Sequence, residues 1–415
     1  MRLMRFRGSR TAPAMAPAPP DTDDRAVAVA GRTAPVATAP RRAAADRQRG
    51  TELLKVNFGP HHPSTHGVLH LLVTLDGEIV RDVEVIFGYL HRAIEKLAES
   101  RTYVGGMALC DRLDYVAAMT NNHAWTLTTE RLLDIEPPPR VQIIRVLMDE
   151  LNRTASHWIG TGVYGQDVGV LVTSVMWAFN WREEILDVFE DVCGQRMTFN
   201  YYRPGTMQKD LPEFFEAKVR GICEQTPGRV EQMHRLLTRN RIFQERAAGV
   251  GVLSTRDALA LSTTGPTLRG SGVAYDVRKA RPYACYADID FDVVTREAGD
   301  CMARYEVRLD EILQSRRIIL QCLDLLHQVP PDLGKEPKSV KPPAGREAYI
   351  EVEGPKGAVG CYMKANGTIN PERMKWRSPS FINLGALPLM SRGWKIADLI
   401  SIFGSIDINM GEVDR

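Results

Sequence analysis

The segment NFGPHHPSTHGVLH, residues 57–70, contains four of the chain's nine histidines: His61, His62, His66 and His70. An imidazole can ligate a metal ion, or it can exchange a proton with a bound molecule near neutral pH. His62 and His66 have the i, i+4 spacing that would present two imidazoles to one ion if they lay on a helix. The first question is therefore whether this segment is a metal site or a proton-transfer site.

The residues around these histidines disfavour a metal site. Pro63 disfavours helical geometry at His62, and Gly59-Pro60 and Gly67 mark a loop on both sides. The glutamate of the helical zinc motif is also missing. Two interpretations stay open, namely a polar loop of solvated histidines and a rigid loop that holds an imidazole for proton transfer to a substrate.

The cysteines give no sign of a metal centre either. All seven are widely scattered along the chain, and no two form a CxxC pair. This spacing predicts free thiols in a reducing compartment. It offers no local motif for an iron–sulfur cluster or a structural zinc ion, so we expect this chain to bind no metal.

Charge is unevenly distributed. Residues 1–50 contain ten arginines and four aspartates, whereas the rest of the chain has a net charge of −4. The first fifty residues are rich in Ala, Pro and Arg and are predicted to be disordered; their aspartates argue against a transit peptide.

The acidic body lacks the basic face that binding to nucleic acid requires. No window reaches the roughly 18 apolar residues that a membrane-spanning helix needs.

Hydrophobic periodicity predicts the elements that must position the histidine segment. Residues 68–87 alternate around Asp76-Gly77 and predict a β-hairpin. Helical periodicity then predicts amphipathic helices over 91–100, 112–134, 139–160, 175–193, 211–241 and 297–327. Alternation around Gly354-Pro355 predicts a small sheet, and 394–408 predicts one short helix. The predicted organisation is a disordered tail (1–50), a β region with the histidine loop (51–89), a helical bundle (90–328), a Pro/Lys-rich linker (329–345) and a C-terminal α/β region (346–415).

Several sequence blocks resemble one known family. In chain order they are GPHHPSTHGVLHLLVTLDGEIV, GYLHRAIEKLAESRTY, DRLDYV, ELNRTASH, NYYRPG, LRGSGVAYDVRKARPY, SPSFINL and MGEVDR. They closely resemble the D-type subunit family of proton-pumping NADH:quinone oxidoreductase, respiratory complex I, and only the N-terminal tail falls outside. The family shares its fold with the large subunit of nickel–iron hydrogenases. The resemblance therefore implies an α+β fold, with a large central helical bundle between an N-terminal β-hairpin region and a small C-terminal α/β region.

The resemblance implies a quinone-reduction site at the junction with the B-type subunit, which holds the last four-iron cluster of the electron chain. The family's quinone-contacting histidine and tyrosine match His66 in the HPSTH loop and Tyr115 in DRLDY. The aspartate that pairs with this histidine in the family matches Asp167 in YGQDVG. His62 belongs to the same quinone loop. From the residues alone, Tyr115 could instead pack between helices, and Asp167 could form a turn.

The chemistry of these residue types fits such a site. Reduction of a quinone to a quinol takes two electrons and two protons, and groups hydrogen-bonded to the head group must supply the protons. A tyrosine (pKa ~10) and a histidine (pKa ~6.5) are suitable donors. A carboxylate behind the imidazole would fix its orientation and raise its basicity.

Two arginines match positions that the family places close to the neighbour's cluster. They are Arg112 in DRLDY and Arg196 in GQRM, and a guanidinium there would stabilise the reduced, more negative cluster. Either one could otherwise form an ordinary interface ion pair.

Three departures from the family pattern indicate a divergent second copy of this type of protein. Thr198 replaces the family's histidine after GxRM, so redox-linked protonation by that group should be absent. The segments VYGQDVGVLVTSVMWAFNWREE and RTYVGGMALCDRLDY also differ from the usual family sequence. Both border the expected quinone cavity, so the shape of that cavity is expected to differ.

The resemblance also implies the setting. We expect a chain that is catalytic only within the complex, beside the B-type and C-type subunits, and attached peripherally to the cell membrane on the cytoplasmic side through its partners. The mitochondrial inner membrane, on the matrix side, is the alternative. NADH oxidation, flavin and the iron–sulfur cluster would belong to other subunits, and quinone would be the substrate.

Hydrogenase activity and a non-catalytic scaffold are two other functions that the residues can be tested against. Hydrogenase activity needs two pairs of cysteine ligands, whereas Cys110 stands alone and MGEVDR supplies no second pair. A non-catalytic scaffold remains the alternative function, although retention of His66, Tyr115 and Asp167 together argues against it.

Overall fold

The structure is a computed structural model that describes residues 53–61, 67–170 and 172–415. The predicted disordered tail, residues 1–50, lies outside the described residues. His62 and His66 of the histidine segment also lie outside them.

An antiparallel three-stranded sheet forms the N-terminal region. Its strands are β1 (Leu54–Phe58), β2 (His70–Asp76) and β3 (Ile79–Ile86), in the order β1-β2-β3. Alternate residues of β2 are buried, and Gly77 adopts the positive φ of +61° that the tight turn requires. The predicted hairpin is confirmed as β2–β3, and β1 is an added strand that the periodicity did not predict.

Helices make up the central region. They are α1 (Ile94–Glu99), α2 (Met107–Cys110), α3 (Ala118–Leu133), α4 (Pro139–Asp167), α5 (Thr173–Cys193), α6 (Phe215–Met233), α7 (Arg241–Ala247), α8 (Thr255–Ala260), α9 (Pro266–Arg269), α10 (Val277–Ala280) and α11 (Cys301–Leu326). A short β-ribbon, β4 (Tyr202–Arg203) and β5 (Thr206–Met207), follows α5. The long helix α4 packs against α5 and α11 and forms the centre of the bundle.

Three of the predicted helices differ most from the structure. The helix predicted over 112–134 begins only at Ala118, because the preceding segment is tied into a turn by side-chain hydrogen bonds described below. The helix predicted over 139–160 continues to Asp167. The single helix predicted over 211–241 is divided into α6, a π-helical turn (His234–Thr238) and α7, with Asn240 capping α7.

The C-terminal region is a second antiparallel sheet followed by short helices. Its strands are β6 (Glu347–Gly354), β7 (Gly357–Ala365) and β8 (Pro371–Arg377), in that order. The helices are α12 (Pro379–Leu384), α13 (Leu387–Ser391), α14 (Ile396–Ile406) and α15 (Met410–Asp414). The predicted small sheet, the short helix near 394–408 and the α+β class with a large helical bundle are confirmed.

Candidate functional site

Tyr115 lies in a buried turn between α2 and α3. The side-chain amide of Asn121 in α3 donates to the carbonyl oxygens of Cys110 (3.1 Å) and Asp114 (3.4 Å). The Asp114 carboxylate accepts the backbone N–H of Val116 at 3.2 Å. These bonds give the backbone an alternative to helical hydrogen bonding. They hold Tyr115, which is half-buried, at a fixed place before α3.

An ion pair is buried beside Tyr115. Lys356, in the β6–β7 turn, donates from Nζ to Asp114 Oδ2 at 3.0 Å, and Asn409 donates to Asp114 Oδ1 at 2.9 Å. Burial alone would lower the pKa of Lys356, but the carboxyl groups of Asp114, Asp407 and Glu412 raise it above its ordinary range. The Lys356 ammonium therefore stays charged.

The environment of Tyr115 keeps its phenol protonated at neutral pH. Burial raises the pKa of Tyr115, and the negative charge of Asp114 adds to this, while Lys356 and Arg92 act in the opposite direction. A protonated, half-buried phenol beside a fixed ammonium is suited to donate a proton to a bound oxyanion, since the cation stabilises the tyrosinate that results.

Asp167 lies at the end of α4, where this helix packs closely against α14. A Cβ on Gly404 of α14 would lie 2.7 Å from Asp167 Oδ2, and a Cβ on Gly160 of α4 would lie 2.8 Å from Asp407 Oδ2. A larger residue at either glycine would require the facing aspartate carboxylate to shift. The two contacts also show that α4 and the α14 segment run antiparallel. Asp167, late in α4, meets Gly404, whereas Gly160, earlier in α4, meets Asp407, which follows Gly404.

Asp407 connects the surroundings of Tyr115 with those of Asp167. Its carboxylate acts on Lys356, the partner of Asp114, and it contacts α4 at Gly160. Asp167 follows about two helical turns later on α4, which corresponds to a rise of roughly 10 Å. The structure thus places Tyr115 and Asp167 on elements that meet at Lys356 and Asp407. His66, the predicted partner of Asp167, lies outside the described residues.

The predicted arginines lie in different surroundings. Arg112 is exposed and lines a cavity of about 290 Å³ together with Thr198. Arg196 is partly exposed, and its guanidinium pairs with acidic side chains of α5, with Nη1 lying 2.7 Å from Asp187 and 2.8 Å from Glu190. Its alternative role as an ordinary ion pair therefore stays open.

The sequence analysis did not single out Asp111, which lines the same cavity. Its side chain is fully buried, and burial raises its pKa to about 7 against the opposing hydrogen bonds of Asn122 and the Asn200 backbone N–H. The cavity beside Thr198 therefore contains a carboxyl group that titrates near neutral pH. Asp111 lies in DRLDY, four residues before Tyr115, and this position in the same block could have indicated it as a candidate.

The C-terminal helix α15 completes the site. A Cβ on Gly411 would lie 2.5 Å from the Leu113 carbonyl oxygen and 2.9 Å from that of Arg112, so α15 packs directly on the turn that bears Tyr115. Asp414 accepts the backbone N–H groups of Gly88 (2.9 Å) and Leu90 (2.7 Å), which fixes the segment after β3. The block MGEVDR thus contributes to the architecture of the site.

Metal ligands and membrane spans are both absent from the described ranges. Within 53–61, 67–170 and 172–415, no three His, Cys, Asp or Glu side chains are grouped so that they could hold a metal ion. In the same ranges, no helix combines the length and apolar character needed to cross a membrane. The seven cysteines are all buried free thiols, as the spacing predicted.

Known proteins similar to this chain include many bacterial relatives that share one name, the D-type subunit of NADH-quinone oxidoreductase. The relative of that name from Dehalococcoides mccartyi is 47% identical over 365 residues, which cover 88% of this chain and 99% of the relative. Relatives of the same name from Desulforamulus reducens and Geotalea uraniireducens are 46% and 44% identical, with the same coverage of 88% and 99%.

A family-level comparison agrees. Residues 167–342 and 335–415 match the model of the family described as "Respiratory-chain NADH dehydrogenase, 49 Kd subunit". The resemblance drawn from the sequence blocks is confirmed by both comparisons. The chain belongs to the D-type subunit family of NADH-quinone oxidoreductase, the 49 kDa subunit of the respiratory-chain NADH dehydrogenase, and is a subunit of that enzyme.

Proposed function

We propose that this chain forms the quinone-reduction site of a proton-translocating NADH:quinone oxidoreductase, together with the cluster-bearing B-type subunit. The observation that carries the proposal is Tyr115, a half-buried phenol with a raised pKa beside the buried Asp114–Lys356 ion pair. An ion pair at this depth is costly to maintain. Its position next to a proton donor supports a role in chemistry rather than in packing alone.

In this proposal Tyr115 donates one of the two protons that a reduced quinone needs. The O–H bond of Tyr115 breaks as the new O–H bond on the quinone oxygen forms, and the Lys356 ammonium stabilises the resulting tyrosinate. His66 supplies the second proton, and His62 belongs to the same quinone loop. Asp167, at the end of α4, orients the imidazole of His66.

Electrons reach the quinone from the iron–sulfur cluster of the B-type subunit, to which this chain contributes no ligand. Arg112 and Arg196 face that cluster in our proposal and stabilise its reduced form. The C-type subunit is a further neighbour, and flavin and NADH are bound elsewhere in the complex. The chain attaches through its partners to the membrane arm, on the cytoplasmic side of a bacterial cell membrane, and the matrix side of the mitochondrial inner membrane is the alternative. Membership of the family supports this setting.

Tyr115→Phe tests the proposal in the assembled complex. The substitution keeps the ring and removes the donated proton. We expect NADH:quinone reductase activity to fall by about 30- to 1,000-fold, equivalent to ~2–4 kcal/mol, while electron transfer from NADH to an artificial acceptor upstream of the quinone is retained.

Tyr349→Phe is the matched control. Its phenol donates to Glu351 on the exposed side of β6, so the variant also loses one tyrosine hydroxyl, but at a residue that the proposal does not use. It should keep full activity. Full quinone reduction by assembled Tyr115→Phe complex would instead favour the scaffold function.

A further inference from the structure

The turn between β6 and β7 carries the ammonium group that lies beside Tyr115. It consists of Pro355 and Lys356, and the Lys356 side chain reaches Asp114, the residue before Tyr115, with a Nζ–Oδ2 distance of 3.0 Å. Lys356 is only 3% exposed. Because buried side chains are closely packed and transmit displacements, a shift of the turn backbone would move the ammonium relative to Asp114 and Tyr115.

The backbone of this turn is bonded by one buried amide, that of Asn383 in α12. Its Nδ2 donates to the carbonyl oxygens of Lys356 and Thr264, each at 3.1 Å. Its Oδ1 accepts the backbone N–H of Thr264 at 2.9 Å. The amide therefore uses both of its donor hydrogens and its acceptor. Asn383 is 1% exposed, and its three bonds join the turn to the segment before α9.

That segment packs directly on the turn. A Cβ on Gly265 would lie 2.5 Å from the Lys356 carbonyl oxygen and 2.5 Å from the Cα of Gly357, so the two backbones touch. The Thr264 hydroxyl oxygen also accepts the backbone N–H of Ala358 at 3.0 Å. If the turn moved away from this segment, the bonds of Asn383 would break.

Helix α4 holds the opposite side of the turn. The guanidinium of Arg153, which is fully buried, donates to the carbonyl oxygens of Glu353 at 2.6 Å and Gly354 at 3.0 Å. On the same helix, the hydroxyl oxygen of Ser156 lies 3.5 Å from Lys356 Nζ. Arg153 thus fixes the end of β6, whereas Asn383 bonds the backbone of Lys356 itself.

We propose that Asn383 is a positioning residue for quinone reduction, because it holds the Lys356 ammonium beside Tyr115. The inference rests on the proposed function, in which this ammonium stabilises the tyrosinate. Such stabilisation depends on the distance between the two charges, and it is strongest when the cation is already in place before the charge develops. Asn383 acts only through the backbone of Lys356, and no proton or electron passes through it.

Asn383→Leu tests the role in the assembled complex. Leucine has a similar shape but makes none of the three hydrogen bonds. Displacement of a positioned group by about 1 Å can lower a rate by about 100-fold, so we expect kcat per assembled complex to fall by about 10- to 100-fold. The KM for quinone should change little, because Asn383 does not contact the quinone in this proposal.

Gln321→Met is the matched control. The amide of Gln321 in α11 makes the same set of bonds to backbone groups: it accepts the N–H of Asp290 at 2.9 Å and donates to the carbonyl oxygens of Asp290 (2.7 Å) and Arg317 (3.1 Å). Methionine removes all three, at a residue that the proposal does not use. This variant should keep the native kcat.

A comparison in the Lys356→Met background separates positioning from a structural role. Without the ammonium there is nothing for Asn383 to position, so Asn383→Leu should then lower kcat by less than about 2-fold, the scatter expected of independent sites. A purely structural role would lower kcat by the same factor with and without Lys356. That result would overturn the inference.

The two proposals fail in different ways. Full activity of Tyr115→Phe overturns the proposed function. Native kcat in Asn383→Leu overturns the positioning role alone, even when Tyr115→Phe is inactive. If Asn383→Leu does not assemble, Asn383→Asp takes its place, since it keeps the shape and the acceptor but, when protonated, donates only one bond. A lowered kcat that depends on Lys356 supports the role, and a native kcat excludes it.

Discussion

Lys356 and Asp114 form an ion pair with a Nζ–Oδ2 distance of 3.0 Å, and each residue is only 3% exposed. The two are far apart in the sequence, but they meet where the C-terminal sheet approaches the turn before Tyr115. Because attraction between buried charges offsets a large desolvation cost, loss of one partner leaves an uncompensated charge. The pair therefore joins the C-terminal region to the site.

This ion pair should show strong coupling in a double-mutant cycle. Asp114→Asn or Lys356→Met alone should cost about 3–5 kcal/mol of stability, whereas the double variant should lose clearly less than the sum. The urea midpoint of the purified complex is the measurement. Lys364→Met, which breaks the exposed pair with Glu372, should cost less than about 1 kcal/mol. Additive losses at Asp114 and Lys356 would contradict this expectation.

Gly411→Ala should disturb the turn of Tyr115. The added Cβ would lie 2.5 Å from the Leu113 carbonyl oxygen, so one of the two backbones must shift. We expect a loss of about 1–3 kcal/mol in stability together with reduced quinone reductase activity. Gly228→Ala in α6 is the control, since its Cβ meets nothing within 4 Å and alanine favours a helix. Native activity in Gly411→Ala would mean that the turn tolerates displacement.

Asp167→Asn should impair turnover without impairing assembly. Asparagine has nearly the same shape, so the contact with Gly404 is kept while the negative charge is lost. We expect kcat for quinone reduction to fall by about 10- to 100-fold, because in the proposed function Asp167 orients the imidazole of His66. Apparent KM should change little. Asp324→Asn, at an exposed surface pair with Arg220, is the control, and an unchanged kcat in Asp167→Asn would rule out the orienting role.

In the proposed function, a redox titration of the iron–sulfur cluster of the B-type subunit should separate the effect of Thr198 from that of Asp111. Threonine cannot titrate, so the sequence alone predicts a midpoint potential nearly independent of pH. Asp111 lines the same cavity with a pKa of about 7, and reduction of a nearby cluster would raise that pKa further. The potential should therefore become more negative as pH rises through about 7, with a slope below the ~59 mV per pH unit of full coupling.

Substitutions in this chain show which residue causes the change of midpoint potential with pH. Asp111→Asn should flatten it, and Thr198→His should steepen it towards the coupled limit. Thr263→Val, at a buried threonine outside the cavity, should leave it unchanged. A steep slope that survives Asp111→Asn would show that another group carries the proton.

Local sequence was sufficient for elements whose pattern and turn residues agree. The β2–β3 hairpin follows from alternating apolar residues on either side of Asp76-Gly77, and α14 follows from its apolar periodicity. The sequence blocks also identified the family and indicated Tyr115 and Asp167 as candidate site residues. These features depend on residues that are close together in the chain, so their pattern is visible without a fold.

Tertiary structure decided what depends on burial and on distant partners. Residues 112–117 are periodic enough for a helix, yet hydrogen bonds from Asn121 and the contact with Gly411 hold them as a turn. Nothing local in EGPKG indicates that Lys356 pairs with Asp114. Nothing local in MGEVDR indicates that burial raises the pKa of Glu412. Pairing and pKa are set by desolvation and by charges that only the folded chain brings together, and for that reason the sequence analysis did not single out the buried acids near Tyr115.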